Sequence, residues 1–348
     1  MRVLVAMSGG VDSSVATAVL AEQGHQVVGV TLKLWGGESD TGCCSVSDVD
    51  DARRVAQQLG VDHLVFNFGE SFNEHVVAPY VAAHVDGRTP NPCVECNRHV
   101  KFDRLYHRAT QLGFDAVATG HHARVVDRGG RRFVGRGADR AKDQSYVVHM
   151  LGAAQLARTL FPVGDLTKAD VRRRAAALGL RTAGKPDSQD VCFITSTGGR
   201  RRFLERRVEL HPGRVVDTDG RAVGEVDAVE LVTVGQRRGV GLSGGGERRY
   251  AVAVDVPGRT VTVGGPEALA TDGFEVEEVT WADGPVAGDV LVQCSAHGAP
   301  RRATAHPAPD GKAVSVRWHE PQRRIAPGQS VVVYDPSDTL VLGGGLAT

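Results

Sequence analysis

Residues 1–20 read MRVLVAMSGGVDSSVATAVL, and this stretch decides the fold. The apolar run 2–7 predicts a buried strand, and the pattern from Ser13 to Gln23 predicts a helix that ends before Gly24. Between them lie glycines, hydroxyls and Asp12. Successive glycines let backbone N–H groups converge on an anion, and a helix N-terminus adds positive potential. A plain glycine turn would explain the glycines but not the hydroxyls and the acid, so we predict a pyrophosphate site.

Strand and helix patterns alternate through the first half of the chain. Further strands are predicted at Gln26–Leu34, His63–Phe68 and Ala116–Thr119, and further helices at Ser47–Leu59, Lys101–Leu112 and Thr167–Leu178. Such alternation predicts a parallel sheet covered by helices, and ligands of such sheets bind beyond the carboxyl ends of the strands. The Ser8–Gly10 segment and Gly120 both fall at such ends. The expected fold class is therefore α/β, with a parallel sheet that binds nucleotide.

The pattern changes after about residue 199, where short β-like runs are separated by turns rich in Gly, Pro and Asp. These runs are Leu231–Val234, Tyr250–Val256, Val261–Val263, Glu275–Thr280, Val290–Cys294, Ala313–Trp318 and Ser330–Tyr334. We expect small β-containing domains here. The predicted boundaries give domains at 1–198, 199–264 and 265–348.

Composition limits the class of protein. The 348 residues include 41 basic and 41 acidic side chains, so a nucleic-acid partner must be argued from local patches rather than net charge. The apolar start is too short for a secretory signal, and no window approaches a membrane span, so we expect a cytoplasmic protein without a membrane partner. Six cysteines in such a chain favour catalytic, redox or metal-binding thiols over a disulfide scaffold.

The loop Ser8–Ser13 is neither a Walker loop, which needs Gly-Lys-Ser/Thr, nor a dinucleotide fingerprint, which needs a third spaced glycine. Its SGGVDS resembles the SGGxDS signature of the PP-loop ATP pyrophosphatases. That resemblance implies cleavage of ATP between the α and β phosphates and adenylation of a carbonyl oxygen. The motif alone leaves open the GMP, NAD, asparagine and argininosuccinate synthetases, tRNA lysidine synthetase and the tRNA thiolases.

Two cysteine-containing stretches narrow the choice. They read TPNPCVECNRHVKFDRL at 89–105 and KPDSQDVCFI at 185–194, with ATGHHARV at 118–125 and AKDQSYVV at 141–148 between them. Together they resemble the tRNA-specific 2-thiouridylase family (MnmA), and the resemblance extends to the end of the chain. It implies a PP-loop domain, a small central β-containing domain and a C-terminal β-barrel. It also implies ATP-dependent thiolation at C2 of the wobble uridine, U34, in tRNAs for Lys, Glu and Gln.

The resemblance carries residue roles with it. It implies that ATP is bound by Ala6, Met7, Ser8, Gly9, Gly10, Val11, Asp12, Ser13, Leu32 and Gly120. It implies that tRNA is contacted by Asn91, Pro92, Cys93, His121, Lys142, Asp143, Gln144, His297, Gly298 and Gln329, with the first three at the target base. Asp12 is the expected Mg²⁺ ligand, because carboxylates hold this ion against phosphates. A sulfur donor, either a cysteine desulfurase or a relay protein, is the implied second partner.

The chemistry suits two thiols. By resemblance, Cys192 carries the persulfide sulfur and Cys96 is its partner nucleophile. A uridine carbonyl is a poor electrophile until adenylation turns its oxygen into a leaving group, and a deprotonated persulfide is then a suitable nucleophile. A second thiolate can attack the other persulfide sulfur and release the product as a disulfide forms. Burial of both cysteines in a core is the competing interpretation.

Cys93 departs from the family pattern, since many members have Asp there. The change leaves a proton-handling role unassigned and creates a third thiol beside Cys96 and Cys192. Three thiolates with an open fourth position would suit a [4Fe–4S] cluster that holds an exchangeable sulfide, whereas structural zinc would want a fourth ligand. Cluster and persulfide chemistry both stay open. Cys43 and Cys44 are predicted to be structural and Cys294 to be in a core.

Two alternative functions would each use only part of these motifs. Another PP-loop ligase would not need the cysteine pair, and a non-catalytic tRNA-binding or iron–sulfur protein would not need an intact SGGVDS. Between Arg172 and Arg214, eleven Arg or Lys face four Asp or Glu. This excess is typical either of a solvated helix face or of a surface that follows tRNA phosphates.

Overall fold

The structure, a computed structural model, describes residues 1–34, 46–187, 191–195, 198–242 and 248–348. The chain divides into two compact units. The first unit comprises Met1–Val76, Cys93–Gly198 and Ser337–Val341. The second unit comprises Val77–Pro92, Gly199–Pro336 and Leu342–Thr348.

Helices and strands follow the predicted alternation in the first half. The α-helices, in chain order, are α1 Val11–Glu22, α2 Val46–Gln58, α3 Gly69–Phe72, α4 Ala78–Val85, α5 Pro92–Glu95, α6 Leu105–Gln111, α7 Ala153–Leu156, α8 Lys168–Ala177, α9 Cys192–Thr195 and α10 Arg200–Glu205. Two π-helices span Asn73–Val77 and Cys96–Arg104, and 3₁₀ turns span Ser145–Val148, Val229–Leu231 and Pro266–Leu269. Thr167 caps α8 together with Asp170, at the residue where the sequence predicts this helix to begin.

The first unit is built on a parallel sheet. Its strands are β1 Arg2–Ala6, β2 Gln26–Lys33, β3 Asp62–Asn67, β4 Ala116–Thr119 and β7 Thr159–Leu160, and the hairpin β5 Ala123–Arg128 and β6 Arg131–Arg136 lies beside it. The order is β3-β2-β1-β4-β7, with β1 parallel to both β2 and β4. Val3, Leu4 and Val5 are fully buried, as expected for a strand covered on both faces. The switch point between β1 and β4 is where such sheets bind ligands.

The second unit is β-rich, with strands β8 Gly213–Val216, β9 Ala222–Val226, β10 Tyr250–Asp255, β11 Thr260–Gly264, β12 Ala270–Trp281, β13 Gly288–Gln293, β14 Arg301–Pro307, β15 Val314–Arg323, β16 Ser330–Tyr334 and β17 Val341–Ala347. One sheet has the order β10-β11-β8-β9, and a closed barrel has the order β12-β15-β14-β13-β16-β17. Apolar side chains such as Val292, Val316 and Val333 fill the barrel core. The predicted fold class is confirmed: a parallel-sheet domain, a β-containing central region and a C-terminal barrel.

Two local predictions were wrong, and one hairpin was not predicted. The helix predicted from Lys101 begins at Pro92, because proline suits a first helical position, and it passes through a π-helical segment before α6. The strand predicted at Leu231–Val234 is absent. The backbone there forms a 3₁₀ turn in which the Val232 N–H donates to the Val229 carbonyl. The β5–β6 hairpin, which turns at Gly129 and Gly130 with positive φ, was not predicted.

Among the described residues, no helix is both long and apolar enough to cross a lipid bilayer.

Two buried imidazoles make the stability of the fold sensitive to acid. Burial, with Arg98 nearby, lowers the pKa of His149 to about 4, and burial beside Arg200 lowers the pKa of His84 to about 4. Between pH 6.5 and about 4 the unfolded chain binds protons that the folded chain does not, so stability falls as pH falls through this window. Each histidine should cost roughly 3 kcal/mol at the lower end.

Thermal unfolding measured from pH 7 to pH 4 tests this expectation. His149→Gln should flatten the profile, and the exposed His107→Gln is the matched control for loss of an imidazole. An unchanged profile in His149→Gln would contradict the assignment.

Candidate active site

The loop after β1 is held in shape by its own hydroxyls. The Ser8 N–H donates to Ser13 Oγ at 3.2 Å, and the hydroxyls of Ser13 and Ser14 donate to the Gly10 carbonyl at 3.2 and 2.8 Å. The Ser13 and Ser14 side chains thus close the turn on itself. The N-terminus of α1 follows directly and aims its N–H groups at the loop.

Two glycines let the loop pack closely between its neighbours. Gly9 has φ +72°, and a Cβ there would lie 2.4 Å from the Asp48 carbonyl oxygen at the start of α2. A Cβ at Gly120, after β4, would lie 2.5 Å from the Ser13 nitrogen. Gly120 therefore abuts the loop at the β1–β4 switch point. Leu32, on the neighbouring strand β2, is buried. The cradle has room for backbone only, which is the form that phosphate loops need.

Asp12 is the acidic group of this cradle. Its carboxylate lies 2.7 and 2.8 Å from Lys168 Nζ and 3.2 Å from His122 Nε2. Burial opposes ionisation, but the hydrogen bonds with His122 and Lys168 prevail and lower the pKa of Asp12. One carboxylate beside hydroxyl oxygens fits Mg²⁺, which takes one or two carboxylates together with substrate phosphates.

Two lysines that were not predicted at the site, Lys168 and Lys185, contact the loop. Lys185 Nζ contacts the Gly9 carbonyl at 3.0 Å, Asp48 at 2.6 Å and Asp51 at 2.8 Å. Burial opposes this charge, but the hydrogen bonds with Asp48 and Asp51 raise the pKa of Lys185. The chain has six lysines, which are Lys33, Lys101, Lys142, Lys168, Lys185 and Lys312. Lys142, Lys168 and Lys185 each contact a carboxylate, and only Lys142 among these three was predicted at the site.

The two cysteine-bearing elements pack against one short helix. Cys96 is 9% exposed at the start of the π-helix Cys96–Arg104, and Cys192 is half-buried at the start of α9. The Phe193 ring meets the Phe72 ring of α3 edge to face, with centroids 5.5 Å apart. On the π-helix, Arg104 Nε donates to Ser71 Oγ of α3 at 3.2 Å. The segments that carry Cys96 and Cys192 therefore share α3 as a support.

The backbone is strained next to Cys192. Val191 has φ +53°, a conformation that β-branched residues rarely adopt. Such strain costs about 1–3 kcal/mol and concentrates at functional sites. Its position immediately before Cys192 favours a functional role for this cysteine over a purely structural one.

In the segment Lys142–Gln144, only the first residue is classed as exposed, and the other two are partly buried. Lys142 is half-exposed and lies 2.8 Å from Asp187. The Asp143 side chain is 6% exposed and pairs with Arg136 at 2.7 Å, while Gln144 Oε1 accepts the His122 N–H at 2.9 Å. His121 is also buried, with Nδ1 2.7 Å from Thr119 Oγ1, and burial lowers its pKa well below the ordinary value. Their tRNA contacts stay predictions.

The other tRNA positions fall in both units. Asn91 and Pro92 precede half-buried Cys93, and Gln329 Nε2 donates to the Thr89 carbonyl at 2.5 Å within the second unit. His297 and Gly298 lie in the turn between β13 and β14.

Among the described residues, Cys93, Cys96 and Cys192 are not arranged as a metal centre. Within the described part of the chain, which includes Cys93, Cys96 and Cys192, no group of three or more His, Cys, Asp or Glu side chains is arranged to hold a metal ion. This donor set does not fit an iron–sulfur cluster in the conformation observed. Cys43 and Cys44 lie outside the described residues. Burial raises the pKa of Cys294 to about 12, so it stays a thiol.

A doubly wound sheet with a glycine-rich phosphate cradle at its switch point defines an α/β nucleotide-binding protein, here followed by β domains. Family models agree: the tRNA methyl transferase HUP domain matches residues 1–196, the tRNA methyl transferase PRC-barrel domain matches 201–265, and the aminomethyltransferase beta-barrel domain matches 271–347.

Curated relatives are more specific. The chain is 48% identical to a tRNA-specific 2-thiouridylase MnmA of Chloroflexus aggregans over 99% of this chain and 97% of the relative. It is 45% identical to the protein of that name in Mycobacteroides abscessus, over 100% of this chain and 99% of the relative. The chain belongs to the tRNA-specific 2-thiouridylase family, and the resemblance of its motifs is confirmed.

Proposed function

We propose that this protein is an enzyme that uses ATP to thiolate tRNA at C2 of the wobble uridine. Relatives that carry the name tRNA-specific 2-thiouridylase match nearly the whole chain, and the phosphate cradle at the β1–β4 switch point supports the use of ATP. The tRNAs for Lys, Glu and Gln are the proposed substrates. A cytoplasmic location follows from the substrate and from the need for reduced thiols.

One observation carries the proposal: the segment that leads to Cys192 is tied to the nucleotide loop. Lys185 donates to the Gly9 carbonyl at 3.0 Å. Asp187 contacts Lys168 at 3.0 Å, and Lys168 in turn contacts Asp12 at 2.7 Å. A ligase that adenylates its substrate and then delivers sulfur needs its thiol near the nucleotide. This connection is what such a reaction requires, and a PP-loop synthetase that uses ammonia would have no need of a cysteine there.

The proposed reaction proceeds in two stages. The uridine C2 oxygen attacks the α-phosphate of ATP and pyrophosphate leaves, with the cradle and α1 stabilising the phosphates. The terminal sulfur of a Cys192 persulfide then attacks C2, and AMP leaves with the oxygen. The Cys96 thiolate attacks the Cys192 Sγ, which breaks the S–S bond and leaves sulfur on C2 as a Cys96–Cys192 disulfide forms. A dithiol reductant must supply two electrons to reset the pair, and a cysteine desulfurase or relay protein supplies the persulfide.

Mg²⁺ would be held by Asp12 and would neutralise phosphate charge when bound. No step is assigned to an iron–sulfur cluster, because the described positions of Cys93, Cys96 and Cys192 do not form a cluster site. Cys93 then has no assigned step in sulfur transfer and stays a proposed contact of the target base.

The decisive experiment is an anaerobic thiolation assay on unmodified tRNA for Glu with ATP, Mg²⁺ and a persulfide donor, with 2-thiouridine detected by nucleoside mass spectrometry. Metal-free protein and protein subjected to iron and sulfide reconstitution are assayed side by side. Product from the metal-free protein is expected. Product only after reconstitution would replace the two-cysteine mechanism by the cluster mechanism. Pyrophosphate release that does not depend on tRNA would point to another PP-loop ligase, and the absence of any product or pyrophosphate would refute the enzyme assignment.

A further inference from the structure

Four side chains of alternating charge run from the nucleotide loop to the surface of the first unit. Lys168 Nζ contacts Asp12 at 2.7 Å and Asp187 at 3.0 Å, and Asp187 contacts Lys142 Nζ at 2.8 Å. We call Asp12, Lys168, Asp187 and Lys142 the ion-pair chain. Arg172 adds a further contact to Asp187 at 2.6 Å. Partial burial opposes ionisation of Asp187, but the hydrogen bonds with Lys142 and Lys168 prevail and lower the pKa of this carboxyl well below its usual range.

The two ends of the ion-pair chain face different ligands. Asp12 lies in the phosphate cradle, where Mg·ATP is proposed to bind. Lys142 is 44% exposed and belongs to the segment proposed to contact tRNA, whereas Lys168 is only 12% exposed. A single residue, Lys168, is therefore shared between two carboxylates, and each carboxylate is nearer to one ligand than to the other.

We propose that the ion-pair chain couples nucleotide binding to tRNA binding, with Asp187 as the positioning residue that transmits the effect. The inference rests on the proposed function, because it assumes that ATP and tRNA are the ligands of the two ends. It adds that each ligand strengthens the binding of the other before any chemistry takes place.

The direction of coupling follows from how charges redistribute. A magnesium–nucleotide complex at Asp12 replaces Lys168 there, so Lys168 turns fully to Asp187. Asp187 is then satisfied without Lys142, whose ammonium group becomes available to a tRNA phosphate. Conversely, a tRNA phosphate can bind Lys142 and remove it from Asp187. Asp187 then binds Lys168 more strongly, so Lys168 leaves Asp12. The Asp12 carboxylate is then available to the metal. Both events favour the same arrangement, so the coupling is positive, and it must be equal in both directions.

The expected size is modest. Couplings between sites commonly amount to about 5–150-fold in affinity. Lys142 is partly exposed and its attraction is screened by solvent, so the lower end applies, at about fivefold. Asp187→Asn keeps the shape of the side chain but removes the charge that Lys168 and Lys142 share, and it should reduce the coupling to about onefold.

Equilibrium binding without turnover tests the inference. The dissociation constant of a non-cleavable ATP analogue with Mg²⁺ is measured in the absence and presence of saturating unmodified tRNA, and that of tRNA with and without the analogue. The full-length protein should bind the analogue about fivefold more tightly with tRNA, with the same ratio for tRNA. Asp187→Asn should show no such ratio. Lys142→Met should also lose it, in addition to weaker tRNA binding.

Asp165→Asn is the matched control, because Asp165 is a largely exposed acid 3.5 Å from Arg124 and outside the ion-pair chain. It should keep the fivefold ratio, and thermal unfolding checks that all variants are folded. A ratio of one in the parent protein, or an unchanged ratio in Asp187→Asn, would overturn the coupling while leaving the proposed function intact. Failure of the parent protein to bind either ligand would overturn the proposed function, and the coupling with it.

Discussion

Replacement of Cys192 by serine is expected to abolish 2-thiouridine formation, with a loss of about a thousandfold or more, because a hydroxyl cannot carry persulfide sulfur. The adenylation half of the reaction uses the phosphate cradle and not the thiol. Pyrophosphate release with tRNA and ATP should therefore persist as one equivalent per enzyme in a single turnover. Quenched-flow measurement of labelled pyrophosphate, together with nucleoside mass spectrometry, separates the two stages.

Cys96→Ser provides the complementary result. Without the second thiolate, sulfur stays bonded to both C2 and Cys192, so tRNA should remain attached to the protein through a bond that a reductant cleaves. A gel under non-reducing conditions detects this species. Cys294→Ser is the matched control, because it also removes one cysteine but at a position in the second unit that has no role in the proposed reaction. Normal thiolation by Cys192→Ser would contradict the assigned role, and loss of pyrophosphate release in it would mean that the thiol also supports adenylation.

The sheet and its nucleotide loop were predictable because their signals are local. Buried parallel strands such as Val3–Val5 appear in the sequence as unbroken apolar runs. The start of a helix such as α8 is marked by a capping pair, here Thr167 and Asp170. The same holds for β16, whose bounds match the predicted ones. Each of these elements is determined by residues that are close together in the sequence, so its pattern is visible in the sequence alone.

The parts of the site that escaped prediction depend on residues far apart in sequence. Lys168 is 156 positions from Asp12, and Lys185 is 176 positions from Gly9, so nothing in either neighbourhood identifies the pairing. The burial of His121, a predicted tRNA contact, was not foreseen either: its ring packs against Phe102 and Phe161. The burial of a side chain depends on tertiary packing, which the sequence pattern of one strand does not contain.

Replacement of Gly9 by alanine is the second change with a large expected effect. The new Cβ would lie 2.4 Å from the Asp48 carbonyl oxygen, so the loop and the start of α2 must separate, and φ +72° adds strain of about 1–2 kcal/mol. A misplacement of about 1 Å can lower a reaction rate about a hundredfold, and we expect ATP affinity to fall by a similar factor because the phosphate-binding N–H groups are displaced. Calorimetric titration with the non-cleavable analogue and Mg²⁺ measures the loss.

Gly24→Ala distinguishes the clash from the strain, because Gly24 has nearly the same backbone angle, φ +79°, but nothing within 4 Å of the added Cβ. Both variants should lose about 1–2 kcal/mol of stability through the left-handed conformation. Gly24→Ala should nevertheless keep ATP affinity within about twofold, because the end of α1 is remote from the cradle. If both variants bound ATP equally well, contact between the loop and α2 would not shape the nucleotide site. If both lost affinity equally, the effect would come from general destabilisation rather than from the geometry of the loop.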